Sequence, residues 1–163
     1  MNEDIKNFLN SKNKALVSFE IPKESDFKSI KQIANQQREF LPALMNYNLK
    51  DGLKNNSLYI AKENNEIIGF IRWHPRKDGI QTIHEIAVKK GHEGKGIGKQ
   101  LFQLAPEPVQ LKVTEDNAHA IEFYKKQGLE FEKTFEGKRR NLLILKSPTL
   151  LKPANHRKTR QKI

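Results

Sequence analysis

VKKGHEGKGIGKQL, residues 88–101, lies between a run of β-forming residues and an apolar run of helical character. Glycines at positions 94, 96 and 98 let the backbone approach a ligand closely and expose successive N–H groups. The helix that follows directs the positive end of its dipole at the same place. The loop carries four lysines and one acid: Lys89, Lys90, Lys95, Lys99 and Glu93. This segment predicts a cradle for a pyrophosphate group, and the alternative is a flexible connection between strand and helix.

The segment does not match either of two common phosphate-binding loops. No Gly-Lys-Ser/Thr ends the segment, as a Walker loop requires. The sheet before it is expected to be antiparallel, unlike the parallel sheet of a Rossmann fold.

Upstream of the loop, the pattern begins with a strand and two helices. Residues 15–21 are rich in β-formers and predict a strand. Ser25 is expected to cap a helix that continues to residue 41, and a second helix follows Pro42 to about Lys54.

Residues 57–88 predict three strands of an antiparallel meander, and the rest of the chain adds two helices and three strands. The predicted turns of the meander lie at Asn64-Asn65 and Asp78-Gly79. After the glycine loop come a helix ended by Pro106, a strand at 109–115 and a helix closed by Gly128. A final pair of strands turns at Glu136-Gly137. This order predicts a fold of the α/β class in which the helices and strands are arranged in a mixed α+β order. We expect a single domain with a central, twisted, mostly antiparallel sheet of about seven strands and helices on both faces.

Composition limits the chemistry and the partners. The 163 residues suit one domain, which we place at residues 1–146, with 147–163 as a basic, flexible tail. The chain has no cysteine, which excludes disulfides, thiolate zinc sites and a cysteine nucleophile. Neither a membrane span nor the apolar core of a signal peptide is evident, so we expect a cytoplasmic protein. No metal is expected, because the five histidines are scattered and have no HxxxH pair.

Charge favours anionic partners. Lys and Arg number 30 against 19 Asp and Glu, which gives a net charge of +11. The tail holds five of the basic residues and no acid: Lys152, Arg157, Lys158, Arg160 and Lys162. The tail is interpreted either as a solvated end or as an arm that contacts a polyanion.

Two motifs resemble the GCN5-related N-acetyltransferase (GNAT) family. Residues 93–98, Glu-Gly-Lys-Gly-Ile-Gly, are similar to the family's acetyl-CoA loop, Gln/Arg-x-x-Gly-x-Gly/Ala. Residues 117–129, NAHAIEFYKKQGL, are similar to its Asn-x-x-Ala-x-x-Phe-Tyr-x-x-x-Gly-Phe helix. Glu93 departs from the family's Gln or Arg, and a carboxylate there weakens cofactor binding unless it points away or pairs with a lysine. The resemblance covers roughly residues 15–146.

The resemblance implies direct transfer of an acetyl group from acetyl-CoA to an amine. In the family, strands 4 and 5 splay apart and the pantetheine arm enters the gap. A backbone N–H near Val88 would polarise the thioester carbonyl. Tyr124 would protonate the departing thiolate, and His84 or Glu85 would take the proton of the amine. Glu85 is preferred by a small margin, since a buried carboxylate suits proton uptake.

The expected contacts with the cofactor follow from the same resemblance. They are Ala87, Val88, Glu93, Gly94, Lys95, Gly96, Ile97, Gly98, Lys99, Asn117, Phe123 and Tyr124. Asn117 is equally well placed to cap a helix.

The acceptor is a small molecule, a protein amine or a group linked to nucleic acid. The third strand ends near the family's acceptor pocket with Arg72, Trp73, His74 and Arg76. A Trp beside arginines is able to clamp an anion, and the alternative is that these residues form an exposed hairpin edge. Arg38 and Glu39 lie on the acceptor side too. The basic balance disfavours free polyamines. The resemblance leaves a homodimer open, because the last two strands often pair across dimers.

Two other functions stay open. One is a non-catalytic module on the same fold that senses acyl-CoA or binds nucleic acid. The other is an unusual transfer, such as modification of a DNA base.

Overall fold

The computed structural model describes residues 2–12 and 16–151, and five α-helices and seven strands lie within these ranges. The helices are α1 (Glu3–Lys12), α2 (Phe27–Asn35), α3 (Asn46–Lys54), α4 (Ile97–Leu104) and α5 (Ala118–Lys126). The strands are β1 (Val17–Glu20), β2 (Leu58–Glu63), β3 (Glu66–Pro75), β4 (Gln81–Val88), β5 (Val109–Thr114), β6 (Glu130–Glu136) and β7 (Asn141–Lys146).

The strands form one seven-stranded sheet in the order β1-β2-β3-β4-β5-β7-β6. The β1–β2, β2–β3, β5–β7 and β6–β7 pairs are antiparallel, whereas β4 and β5 are parallel. The parallel register joins Gln81–Ile83 to Val109–Leu111, the first three residues of each strand. A parallel pair requires a crossover, which the glycine loop and α4 supply. The predicted mostly antiparallel sheet is confirmed.

The described residues form two compact units, and the first contains those up to Arg72 together with Glu85–Leu104. Its buried cluster packs α2 and α3 against the sheet. The main contributors are Phe27, Ile30, Ile33 and Ala34 of α2, Leu49 of α3, Leu58 and Ile60 of β2, Phe70 of β3 and Ala87 of β4. The α2 residues recur at helical spacing, so one side of that helix is buried and the other is left to solvent.

Two glycines let helices lie close to the sheet in this unit. A Cβ atom on Gly52 of α3 would lie 2.8 Å from the Leu58 Cβ, and one on Gly69 of β3 would lie 3.1 Å from Cδ1 of Leu101 in α4. Gly69 and Phe70 are consecutive strand residues and therefore point to opposite faces. Because Phe70 packs under α2 and α3 while Gly69 faces α4, helices cover both faces of the sheet here.

The second unit contains Trp73–His84 and the described residues from Ala105 onward. Strand β7 lies between β5 and β6, and its Leu145 is fully buried. The Ser147 hydroxyl accepts a hydrogen bond from the Val109 N–H at 2.9 Å, which ties the end of β7 to the start of β5. Helix α5 ends as predicted at Gly128, whose φ of +92° favours glycine.

The predicted order of strands and helices is confirmed, with corrections at the N-terminal side. Helix α2 is shorter than expected and Ser25 is not its cap, because Glu24–Asp26 form a 3-10 turn first. The Asp26 carboxylate accepts a hydrogen bond from the Lys23 N–H at 2.8 Å and closes that turn. Helix α1 was not predicted. The basic residues from position 152 onward lie outside the described residues.

None of the helices within residues 2–12 and 16–151 is long and apolar enough to cross a membrane.

Candidate active site

The loop between β4 and α4 turns on glycines in the left-handed conformation. Gly91 has a φ of +89°, and Gly94 and Gly96 each have a φ of +77°. A Cβ atom on Gly94 or Gly96 would meet no atom of the described residues within 4 Å. Backbone conformation, rather than crowding, therefore favours glycine at these two positions.

The start of the loop is fixed by its neighbours in the first unit. The Lys89 N–H donates to the Ile68 carbonyl oxygen at 2.7 Å, and the Lys90 N–H donates to Oε1 of Gln36 at 3.0 Å. The Lys89 ammonium group also donates to the Glu66 carboxylate. This hydrogen bond holds the pKa of Glu66 below its ordinary value of 4.5.

Glu63 at the end of β2 contacts the middle of the loop. One of its carboxylate oxygens lies 3.1 Å from Nδ1 of His92 and 3.7 Å from Nζ of Lys95. The Glu63 side chain is mostly buried, whereas Lys95 is half exposed. A single carboxylate thus joins two points of the loop, and we expect it to limit the range of loop conformations.

Glu85 forms a buried, bidentate ion pair with Arg72 on the neighbouring strand β3. Nε of Arg72 donates to Oε2 of Glu85 at 2.7 Å, and Nη2 donates to Oε1 at 2.8 Å. The side chains are only 8% and 5% exposed. Both carboxylate oxygens therefore already accept a charge-assisted hydrogen bond, and proton uptake by Glu85 would break one of them.

His84 precedes Glu85 and is exposed, because consecutive strand residues point to opposite faces. Its ring centroid lies 6.4 Å from that of His74, with the ring planes tilted by 56°. Trp73 is only 4% exposed, so it is not an exposed hairpin edge. Arg76 is exposed and donates to Asp78 at 2.6 Å and to Gln110 at 3.2 Å.

The motif on α5 places a cap and a buried tyrosine. Oδ1 of Asn117 accepts a hydrogen bond from the Ala120 N–H at 3.2 Å, which confirms the capping alternative. Tyr124 is the buried residue of this helix, and its ring meets that of Phe123 edge-on with centroids 5.2 Å apart. Burial fixes the direction in which the Tyr124 side chain leaves the helix.

The predicted site residues belong to both units. The first unit contains Glu85, Ala87, Val88, Glu93, Gly94, Lys95, Gly96, Ile97, Gly98 and Lys99, and the second contains His84, Asn117, Phe123 and Tyr124. Across the described part of the chain, no three His, Asp or Glu side chains come together in a way that could hold a metal ion.

A family model described as the acetyltransferase (GNAT) family matches residues 24–129, which include β2 to β5, the glycine loop and α5. The chain belongs to the GNAT family. The sequence resemblance to this family is thereby confirmed.

One curated relative is an uncharacterized protein, YxbD, of Bacillus subtilis strain 168, which is 32% identical over 84 residues. The match takes in 47% of this chain and 51% of YxbD, so this GNAT protein spans about half the length of that relative.

Solved structures share the fold. Naa50 of Arabidopsis thaliana, in complex with the bisubstrate analogue CoA-Ac-MVNAL, matches with a TM-score of 0.66 and 21% identity over 80% of this chain and 97% of that chain. Ard1 of Thermoplasma volcanium matches with a TM-score of 0.68 and 20% identity over 79% and 95% of the two chains. The ribosomal-protein-S18-alanine N-acetyltransferase of Escherichia coli matches with a TM-score of 0.67 and 15% identity over 86% and 98%.

Sequence reasoning about this GNAT protein missed two contacts. The Arg72–Glu85 pair has no simple signal in the sequence. The Arg76 N–H donates to the Ile80 carbonyl oxygen at 2.9 Å, so the turn pairs Arg76 with Ile80, and regular counting from that pair would set His84 rather than Glu85 opposite Arg72. Glu63 has no signal either, because it contacts the loop from a strand that is not its neighbour along the chain.

Proposed function

We propose that the chain is an acetyl-CoA-dependent N-acyltransferase that transfers the acetyl group directly to an amine. The observation that carries this proposal is the loop before α4. Gly94 and Gly96 stand in the left-handed conformation, and the helix begins at Ile97 immediately afterwards. Backbone N–H groups at a helix start and nearby lysines both stabilise a bound pyrophosphate. Acetyl-CoA, when bound, supplies the activated thioester.

Glu93 does not argue against this assignment. Its side chain is exposed, so water screens the carboxylate charge. The same loop carries four lysines, and Lys95 and Lys99 are exposed beside it. The excess of positive charge favours a ligand with several phosphate charges.

We assign the proton acceptor to His84 rather than Glu85. Both oxygens of Glu85 accept hydrogen bonds from Arg72, and the pair is buried. His84 is exposed, and imidazole needs little adjustment to accept a proton near neutral pH. Glu85 then acts as a positioning residue that holds β4 against β3.

The proposed transfer begins with attack on the thioester. The neutral amine nitrogen attacks the thioester carbonyl carbon, and a backbone N–H near Val88 stabilises the oxyanion. The C–S bond breaks, the amine proton passes to His84 directly or through water, and the thiolate takes a proton from the Tyr124 hydroxyl. Proton exchange with solvent then returns His84 to neutral imidazole and Tyr124 to phenol. The buried position of Tyr124 supports this role, because a fixed acid is more effective than a mobile one.

The acceptor we propose is an amine on an anionic molecule, which includes protein and nucleic-acid carriers. The net charge of +11 attracts such molecules and repels free polyamines. Cytoplasmic localisation remains the expectation from the sequence.

Calorimetric titration with acetyl-CoA and then with coenzyme A tests the cofactor site. We expect dissociation constants of about 1–100 μM, which lie within the range of KM values typical of enzymes. Gly96→Asp places a carboxylate in the loop and is expected to abolish binding. Gly79→Asp is the matched control, because Gly79 also has a positive φ but lies in the β3–β4 turn.

Turnover is then measured as thiol release with a panel of amines. Tyr124→Phe is expected to keep acetyl-CoA affinity and to lower kcat by about 10²–10⁴-fold. Failure of the wild type to bind acetyl-CoA at about 1 mM would refute the proposal. Binding without turnover of any amine would instead favour an acyl-CoA sensor.

A further inference from the structure

A polar groove of about 530 Å³ lies between α2 and α3 in the first unit. Its lining residues share a hydrophilic character, and they are Glu24, Ser25, Lys28, Lys31, Gln32, Asn35, Asn46 and Lys50, with Phe27 below them. Phe27 is only 5% exposed, so its ring adds little to the exposed surface of the groove. This groove is separate from the loop before α4.

Helical spacing explains why these side chains line one groove. Lys28, Lys31, Gln32 and Asn35 follow the pattern i, i+3, i+4 and i+7 along α2. They form the side of α2 that is opposite its buried residues. On α3, the groove residues Asn46 and Lys50 are one turn apart.

The charges of the groove are unbalanced. Three lysines face one acid, Glu24. The lysines that form ion pairs within the described residues are Lys62, Lys89, Lys95, Lys126 and Lys146. Lys28, Lys31 and Lys50, which line the groove, are not among them.

We infer that this groove binds the phosphodiester backbone of a nucleic acid. Lysines supply the charge, and the amide and hydroxyl groups of Gln32, Asn35, Asn46 and Ser25 supply the hydrogen bonds that typically position phosphates. An open groove with charged groups on two helices suits a chain of phosphates rather than one enclosed anion. A membrane surface is disfavoured, because helices that lie on lipid present an apolar side to it.

Fluorescence anisotropy with a labelled single-stranded RNA of about 15 nucleotides tests the inference on the full chain. The variant is Lys28→Ala/Lys31→Ala/Lys50→Ala. Loss of three phosphate contacts is expected to reduce the slope of log K against log[salt] by about 2, since each contact to a single strand contributes about 0.7. Affinity at 50 mM salt is expected to fall by about tenfold or more.

The matched control is Lys6→Ala/Lys77→Ala/Lys125→Ala, which removes the same charge from exposed positions outside the groove. The control is expected to keep the wild-type slope. Equal losses in both triple variants would overturn the inference, because net charge alone would then explain binding. Tighter binding to phosphatidylserine vesicles than to RNA, or no RNA binding by the wild type at 50 mM salt, would overturn it as well. Unchanged acetyl-CoA affinity and circular dichroism in the groove variant show that folding and the cofactor site are intact.

Discussion

Replacing Arg72 by Met leaves the Glu85 carboxylate buried without its partner. The side chains are 8% and 5% exposed, and the two hydrogen bonds are 2.7 and 2.8 Å long. Removing one member of such a pair costs about 3–5 kcal/mol, because the remaining charge keeps its desolvation penalty and loses its attraction. For a chain of this size, each kcal/mol lowers Tm by about 2–4 °C, so we expect a fall of about 6–20 °C.

Urea unfolding, followed by tryptophan fluorescence, measures the loss in the free energy of unfolding. Trp73 is the only tryptophan in the chain and is 4% exposed, so its emission reports directly on unfolding. The matched control is Lys62→Met, which breaks the Lys62–Glu20 ion pair of β2 and β1. That pair is equally short at 2.8 Å, but its side chains are 26% and 47% exposed. We expect the control to cost less than about 1 kcal/mol.

The double variant Arg72→Met/Glu85→Leu separates the loss of the pair from the penalty of an isolated charge. Apolar residues of similar volume commonly replace a buried ion pair at little cost, so the double variant is expected to recover most of the lost stability. An Arg72→Met loss no larger than the Lys62→Met loss would contradict the reasoning. A double variant as unstable as the single one would show that packing of Arg72, rather than charge, is responsible.

Three further predictions concern the loop and the site. Gly96→Ala imposes about 1–2 kcal/mol of backbone strain and is expected to weaken acetyl-CoA binding about five- to thirtyfold by calorimetry, while Gly79→Ala lowers stability and leaves affinity unchanged. Glu66 has a pKa below 4.5 in the folded state, so its pairing with Lys89 stabilises the folded protein above pH 4.5, and this stabilisation is lost as the pH falls through the folded-state pKa. The difference in free energy of unfolding between wild type and Glu66→Gln should therefore shrink from pH 6 to pH 3. His84→Ala should lower kcat/KM by about 10²-fold at pH 7 with unchanged urea stability, and full retention of turnover would exclude His84 as the base.

The fold was predictable where local conformation limits the choice of residue. The positive φ values at Gly79, Gly94, Gly96 and Gly128 are local requirements, and the sequence indicates turns or a loop at each of these glycines. The N-terminal end of α2 was less predictable. Whether Ser25 caps that helix depends on a competing hydrogen bond within a 3-10 turn.

Choosing between His84 and Glu85 required the burial of each side chain, because consecutive strand residues face opposite sides of a sheet. Both are chemically suited to accept a proton, and residue type alone favoured Glu85 by only a small margin. Glu85 takes the buried side of β4, where Arg72 occupies both of its carboxylate oxygens, and His84 takes the exposed side. A shift of one residue in the pairing of β4 would exchange the buried and exposed positions of His84 and Glu85. The proposed base is therefore a consequence of which face of the sheet each residue of β4 occupies.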